Sequence, residues 1–222
     1  MRSSRTRFAG RLNLGVRHHG ESVMPRITLT DFIEVVTKSG SPKATKVSQL
    51  KNRPAYEPAT DFYKGLRDGL VALHKKSGVK ADLSSLTKGL ADAKKVANYP
   101  LMVSGYKKWW GRKTLEWFEP SGDTYTHSGV DVAINPELGL KINGQRHVVK
   151  LYFKADALTK TKADLIVTLM SHVLGASEPP GTQFSVLDVR NSKLFTYSAT
   201  GKSFKPMVDA ELSYIASLWP HV

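Results

Sequence analysis

Two runs of alternating apolar and polar residues, 130–142 and 146–154, meet at Asn143-Gly144. That dipeptide accepts the positive φ angles of a two-residue hairpin turn and is the strongest short-range hairpin signal in the chain. A two-residue loop also sets the register. It places Glu137 opposite Lys150, Asn135 opposite Tyr152, Ala133 opposite Lys154 and Lys141 opposite Arg146. One face then carries Val132, Ile134, Leu138, Leu140, Ile142, Val149, Leu151 and Phe153, which is a core face. The other collects Asp131, Asn135, Glu137, Lys150, Tyr152 and Lys154. A bulge at Pro136, which cannot donate to the ladder, would shift the partners N-terminal of it by one.

Elements of different period surround this hairpin. Before residue 111 the apolar spacing is helical. Asp31 and Glu34 have capping-box spacing ahead of a short helix that stops near Ser39-Gly40. Residues 40–58, with Pro42, Pro54 and Pro58, read as a basic loop. Phe62, Leu66, Leu70 and Leu73 predict a helix ending at Gly78, and Leu83, Leu86, Leu90, Ala93 and Ala97 predict another. Pro100 marks a break that opens a fourth helix ending near Gly111. Beyond residue 111 the period is two. Strands are expected at 115–119 and 124–127, then the hairpin, a capped helix from Thr159 to Leu174, a second hairpin around Asn191-Ser192, and a last helix over 208–219. The order predicts an α+β fold: an N-terminal helical part followed by a mostly antiparallel sheet with two flanking helices. The expected organisation is a tail (1–23), a basic helical region (24–111) and an α/β sheet domain (112–222).

Composition removes several function classes. The 222 residues include no cysteine, which excludes disulfides, thiolate zinc sites, iron–sulfur clusters and cysteine nucleophiles. The seven histidines are scattered, no G-x-S-x-G, H-E-x-x-H or G-x-G-x-x-G motif occurs, and no bound metal or cofactor is expected. No apolar run approaches the roughly 18 residues of a membrane span, so a cytoplasmic protein with no membrane partner is expected.

Charge points to a polyanion. The formal net charge is +14 and is unevenly placed. Residues 24–110 hold sixteen Lys/Arg against seven acids, whereas residues 111–222 hold twelve against eleven. A localised basic field is the footprint of a phosphate-bearing partner, since neutralising phosphates releases counterions. The candidate contacts are Lys43, Lys46, Lys51 and Arg53 in the expected loop, Lys107, Lys108, Arg112 and Lys113 around Gly105–Lys113, and Lys150 on the hairpin. Tyr106, Trp109 and Trp110 interleave with the second group, either as base-stacking platforms or as core fillers with the lysines outside. Residues 1–23, with five arginines and one acid, form a disordered basic tail or precede a true start at Met24.

The polar hairpin face suits either of two roles. It is an ordinary solvated sheet face with cross-strand ion pairs, or acids and lysines placed for Mg²⁺-assisted phosphodiester cleavage. Asp131, Pro136-Glu137 and the strand ending Lys150-Leu-Tyr-Phe-Lys154, followed by a helix and a strand, resemble the PD-(D/E)XK nuclease-like superfamily over residues 112–198. The resemblance implies that Asp131 or Glu137 is the first acid and Lys154 the lysine. The family's second acid sits two residues before the lysine, where this chain has Tyr152; two residues before Lys150 stands Val148. A tyrosine does not replace a carboxylate on magnesium, so the resemblance implies a degenerate site on a nuclease-like scaffold. The leading expectation is a nucleic-acid-associated protein that grips phosphate backbone. The alternatives are a structural or protein-interaction subunit without a nucleic-acid partner, and an active Mg²⁺-dependent nuclease using Asp131, Glu137 and Lys154.

Overall fold

The computed structural model describes residues 25–57, 61–197 and 204–222. The elements in chain order are β1 (Arg26–Thr28), α1 (Leu29–Val36), α2 (Gly40–Lys51), α3 (Lys64–Lys75), a 3₁₀ helix (Lys80–Thr87), α4 (Ala93–Trp110), β2 (Leu115–Phe118), β3 (Asp123–His127), β4 (Val130–Ile134), β5 (Leu138–Ile142), β6 (Gln145–Tyr152), α5 (Lys160–Leu174), β7 (Gln183–Asp188), β8 (Lys193–Thr196) and α6 (Lys205–Leu218). The fold is α+β, with a helical N-terminal part. A five-stranded sheet runs β2-β5-β6-β7-β8, and a three-stranded sheet runs β1-β4-β3. Four of the strand pairs are antiparallel; β1 with β4 and β6 with β7 are parallel.

The Asn143-Gly144 hairpin has the expected register, with Leu138 opposite Val149 and Ile142 opposite Gln145. Both turn residues have positive φ, 51° and 87°. The first strand differs from expectation. Residues 130–142 do not form one strand: the chain leaves the ladder at Asn135-Pro136 and splits into β4 and β5, which belong to different sheets. Proline cannot donate there, and the break does more than shift the register. It moves Val132 and Ile134 into a different core from Leu138 and Leu140. Asn135 therefore does not face Tyr152, nor Ala133 Lys154; Ala133 pairs with Thr28 and Thr124 instead.

The hairpin's second face is not solvated either. Val148 and Tyr152 on β6 and Phe184 and Val186 on β7 pack with α1, α5, α6 and the small sheet. Val149, Leu151, Phe153 and Leu187, on the opposite face, pack with α3, the 3₁₀ helix and α4. The five-stranded sheet thus carries a core on each side, and both cores draw on residues from either side of Gly111. The helices α1 and α2 lie in one layer, α3 and α4 in the other.

Three helical expectations change. The capping box is formed by Thr28 and Asp31, so α1 starts before Asp31. Residues 40–51 are helix, not loop, because Pro42 falls in the first turn, where its missing N–H has no intrahelical partner to lose. The chain runs through Pro100 inside α4, since a continuous buried face of Tyr99, Met102, Val103 and Tyr106 outweighs one lost hydrogen bond. The break falls earlier: Gly89 adopts φ 68° and Asp92 caps a fresh helix, accepting from Lys95 N at 2.8 Å.

Candidate nucleic-acid interface

Around the hairpin, acids and lysines pair off. Glu137 sits at the strand break, where Lys150 Nζ lies 2.5 Å from its Oε1 and Leu151 N donates to its Oε2 at 2.7 Å. Lys150 Nζ also donates to the Asn135 carbonyl at 2.9 Å. The pair therefore ties off backbone groups that the break leaves without ladder partners. Lys154 reaches Glu34 of α1 at 2.9 Å, and Lys162 of α5 reaches the same oxygen at 3.3 Å. Burial alone would raise the Glu34 carboxyl, but the hydrogen bond and charge of Lys154, aided by Lys162, outweigh it and hold the group below its ordinary value. Asp131, on β4 in the other sheet, accepts from Thr126 Oγ1 at 2.7 Å. Asp131, Glu137 and Lys154 thus have separate partners.

The positions of a second acid are core positions. Val148 is fully buried and Tyr152 is 6% exposed. Burial, reinforced by the negative charges of Glu34, Asp188 and Asp156, pushes the Tyr152 phenol up to about 12. It stays protonated at neutral pH. Asp188 is buried, and its carboxylate accepts from Leu158 N, Asn191 N and Asn191 Nδ2. Among the described residues no three His, Asp or Glu side chains converge as a metal site would require.

The basic surface is organised differently. Lys43 is paired with Glu211, and Arg53 with Asp31 at 2.7 Å. Lys46 and Lys51 lie on the same helix layer, on the far side of the central sheet from α4. Residues 76–113 hold nine Lys/Arg and two acids. None of those nine forms an ion pair among the described residues. Both acids are turned to the backbone: Asp82 accepts from Val79 N at 2.8 Å and Asp92 caps α4. Lys107, Lys108 and Arg112 are exposed. Lys113 is half-buried, bonded to the Trp109 carbonyl and lying over the Trp109 ring. Lys80 donates to the Gly111 carbonyl at 2.7 Å, which draws the 3₁₀ helix to the end of α4. Cations gathered at a helix C-terminus are favoured by its dipole.

No family model matches the chain, and no curated protein matches it. Tyr106, Trp109 and Trp110 are all buried, at 0%, 4% and 8% exposure, so they fill the core beneath α4 and offer no stacking platform. The roles of two residues carry no signal in the sequence. Glu34 meets Lys154 only through the packing of α1 near the end of β6. Arg190 lies in the β7–β8 turn, beside α4.

Proposed function

We propose that this protein binds nucleic acid through its sugar-phosphate backbone, using the surface built by residues 76–113, and that its nuclease-like sheet serves as a scaffold. One observation carries the reading: nine cations fall in one continuous stretch of chain, residues 76–113, most of them exposed, and its two acids are both engaged in capping. Such a surface attracts a polyanion, and each phosphate it neutralises releases counterions. Phosphate contacts position a partner without reading its sequence. The sheet supports a scaffolding role because Glu137 and Lys150 satisfy each other and the second-acid positions belong to the core.

The test is equilibrium binding of the full chain to labelled nucleic acid over a salt series. With on the order of six phosphate contacts, affinity should fall about 10³-fold between roughly 50 and 200 mM salt. The Lys107→Ala/Lys108→Ala variant should weaken binding to unrelated sequences alike. Lys46→Ala/Lys51→Ala, on the opposite layer, should leave it nearly unchanged. Absence of binding at low salt, or an affinity indifferent to salt, would overturn the reading, and Mg²⁺-dependent cleavage by the purified protein would overturn the scaffold role.

A further inference from the structure

The last turns of α4 meet the β7–β8 turn unusually closely. A Cβ on Gly105 would lie 2.1 Å from the Val189 carbonyl oxygen and 2.9 Å from that of Arg190, so only glycine allows this approach. Ser192 Oγ fastens the contact by donating to the Gly105 carbonyl at 2.8 Å. Beside it opens a polar cleft of about 440 Å³, with Leu101, Ser104 and Lys108 on the helix side and Arg190 and Asn191 on the turn side. Neither Lys108 nor Arg190 forms an ion pair among the described residues. The acid next along the turn, Asp188, is 1% exposed and directs its oxygens inward to Leu158 and Asn191. The cleft therefore presents the Arg190 guanidinium, the Lys108 ammonium and the Ser104 hydroxyl, which are donors matched to a phosphate rather than to a cation or an apolar group.

The surroundings select the kind of nucleic acid. Proteins that hold single strands combine basic grooves with exposed aromatic rings on which bases stack. Here the aromatic residues of α4 are turned into the core, and the outer face of the helix offers Lys94, Ala97, Leu101, Ser104 and Lys108 at spacings of three and four. From Lys94 to Lys108 that face is roughly 21 Å long, which matches about six base pairs of a duplex. A duplex carries the denser line of charge, about one phosphate per 1.7 Å of axis, and needs no stacking partner.

We propose that the cleft between α4 and the β7–β8 turn seats a backbone phosphate of double-stranded nucleic acid, with Arg190 and Lys108 as its direct contacts. This rests on the backbone-binding function proposed above and adds where the duplex is held and why it is preferred to a single strand. Arginine in a turn fixed by Gly105 and Ser192 presents a preorganised fork to two phosphate oxygens, while Lys108 supplies a point charge from the helix.

The experiment compares a labelled duplex of about 20 base pairs with one of its own strands, between about 50 and 200 mM salt, on the full chain. The duplex should bind at least about tenfold more tightly than the strand. Arg190→Ala and Lys108→Ala should each lower duplex affinity severalfold and reduce the salt slope by about 1. Lys160→Ala, on α5 and paired with Asp164, should change neither quantity. Circular dichroism of each variant checks that the fold is kept. Duplex binding with an unchanged slope in Arg190→Ala, or a strand bound as tightly as the duplex, would overturn this assignment and leave backbone binding standing. No binding of either probe at the lowest salt would refute both.

Discussion

His74 is 3% exposed, with its Nε2 2.7 Å from the Tyr106 hydroxyl and its ring 4.9 Å from that of Trp110. Burial lowers its pKa from 6.5 to about 4. Between those values the unfolded chain takes up a proton that the folded chain refuses. Stability is therefore complete above pH 6.5 and lost as the pH falls toward 4, by on the order of 3 kcal/mol. Half-buried His147 is shifted in the same direction by its own burial and adds to the loss. Glu34 and Asp31, held low despite burial by their basic partners, lose their contributions only as the pH falls through the carboxylate range. Denaturant midpoints at pH 7.5, 6 and 5 should show most of the early decline removed in His74→Gln. An unchanged slope in that variant would exclude this origin. Legibility at the same scale was uneven. Lys107 and Lys108 of α4 could be named from sequence because they stand in the dense aromatic and basic run at 105–113, whereas Lys94 and Lys95 could not. The partner of Lys154 could not, because Glu34 and Lys154 belong to α1 and the segment after β6, joined only by tertiary packing.

Local chemistry marked the elements it governs by itself. The Asn143-Gly144 hairpin, α5 behind Thr159 and the β7–β8 turn were all legible, since each depends on a few adjacent residues. Elsewhere tertiary packing prevails over a local signal. By local rules proline breaks a helix at 42 and 100, yet the first lies where a helix tolerates it and the second is overridden by a buried aromatic face. The break at Pro136 was the reverse case: alternation persists through it, but the chain changes sheets, so the faces before and after it do not correspond. Gly→Ala inside a helix ordinarily stabilises by about 1 kcal/mol. At position 105 the methyl would meet the Val189 carbonyl at 2.1 Å, so the turn must move. Gly105→Ala should lower stability by on the order of 2 kcal/mol, as overpacking does. A denaturant midpoint equal to or above that of the parent would mean that the approach of turn and helix is dispensable.

The class of the whole molecule, α+β with helices first and a mostly antiparallel sheet after, followed from the change of hydrophobic period near residue 111; the parallel pairs β1–β4 and β6–β7 did not. Its layering did not, because the helical region splits between two sides of one sheet and no local pattern records which helix covers which face. The amino terminus tests this arrangement. Residues 1–23 lie outside the described residues, and their composition offers no apolar face to bury. A chain beginning at Met24 keeps β1 and should melt cooperatively within about 1 °C of full length, below the roughly 2–4 °C expected from losing about 1 kcal/mol in a chain of this size. A chain beginning at Leu29 loses the β1–β4 ladder and the Thr28 cap, and should melt clearly lower. Equal melting of both would show that β1 contributes nothing. That ladder also governs the order in which the molecule can be made. Ile27 pairs with Val132, so at roughly 5–20 residues per second a ribosome needs roughly 5–20 s to deliver the partner strand. Throughout that interval Leu29, Phe32 and Ile33 of α1 await a cover that has not yet been synthesised. The nascent chain, rather than the finished protein, is thus the state in which these apolar side chains are open to aggregation and to chaperones.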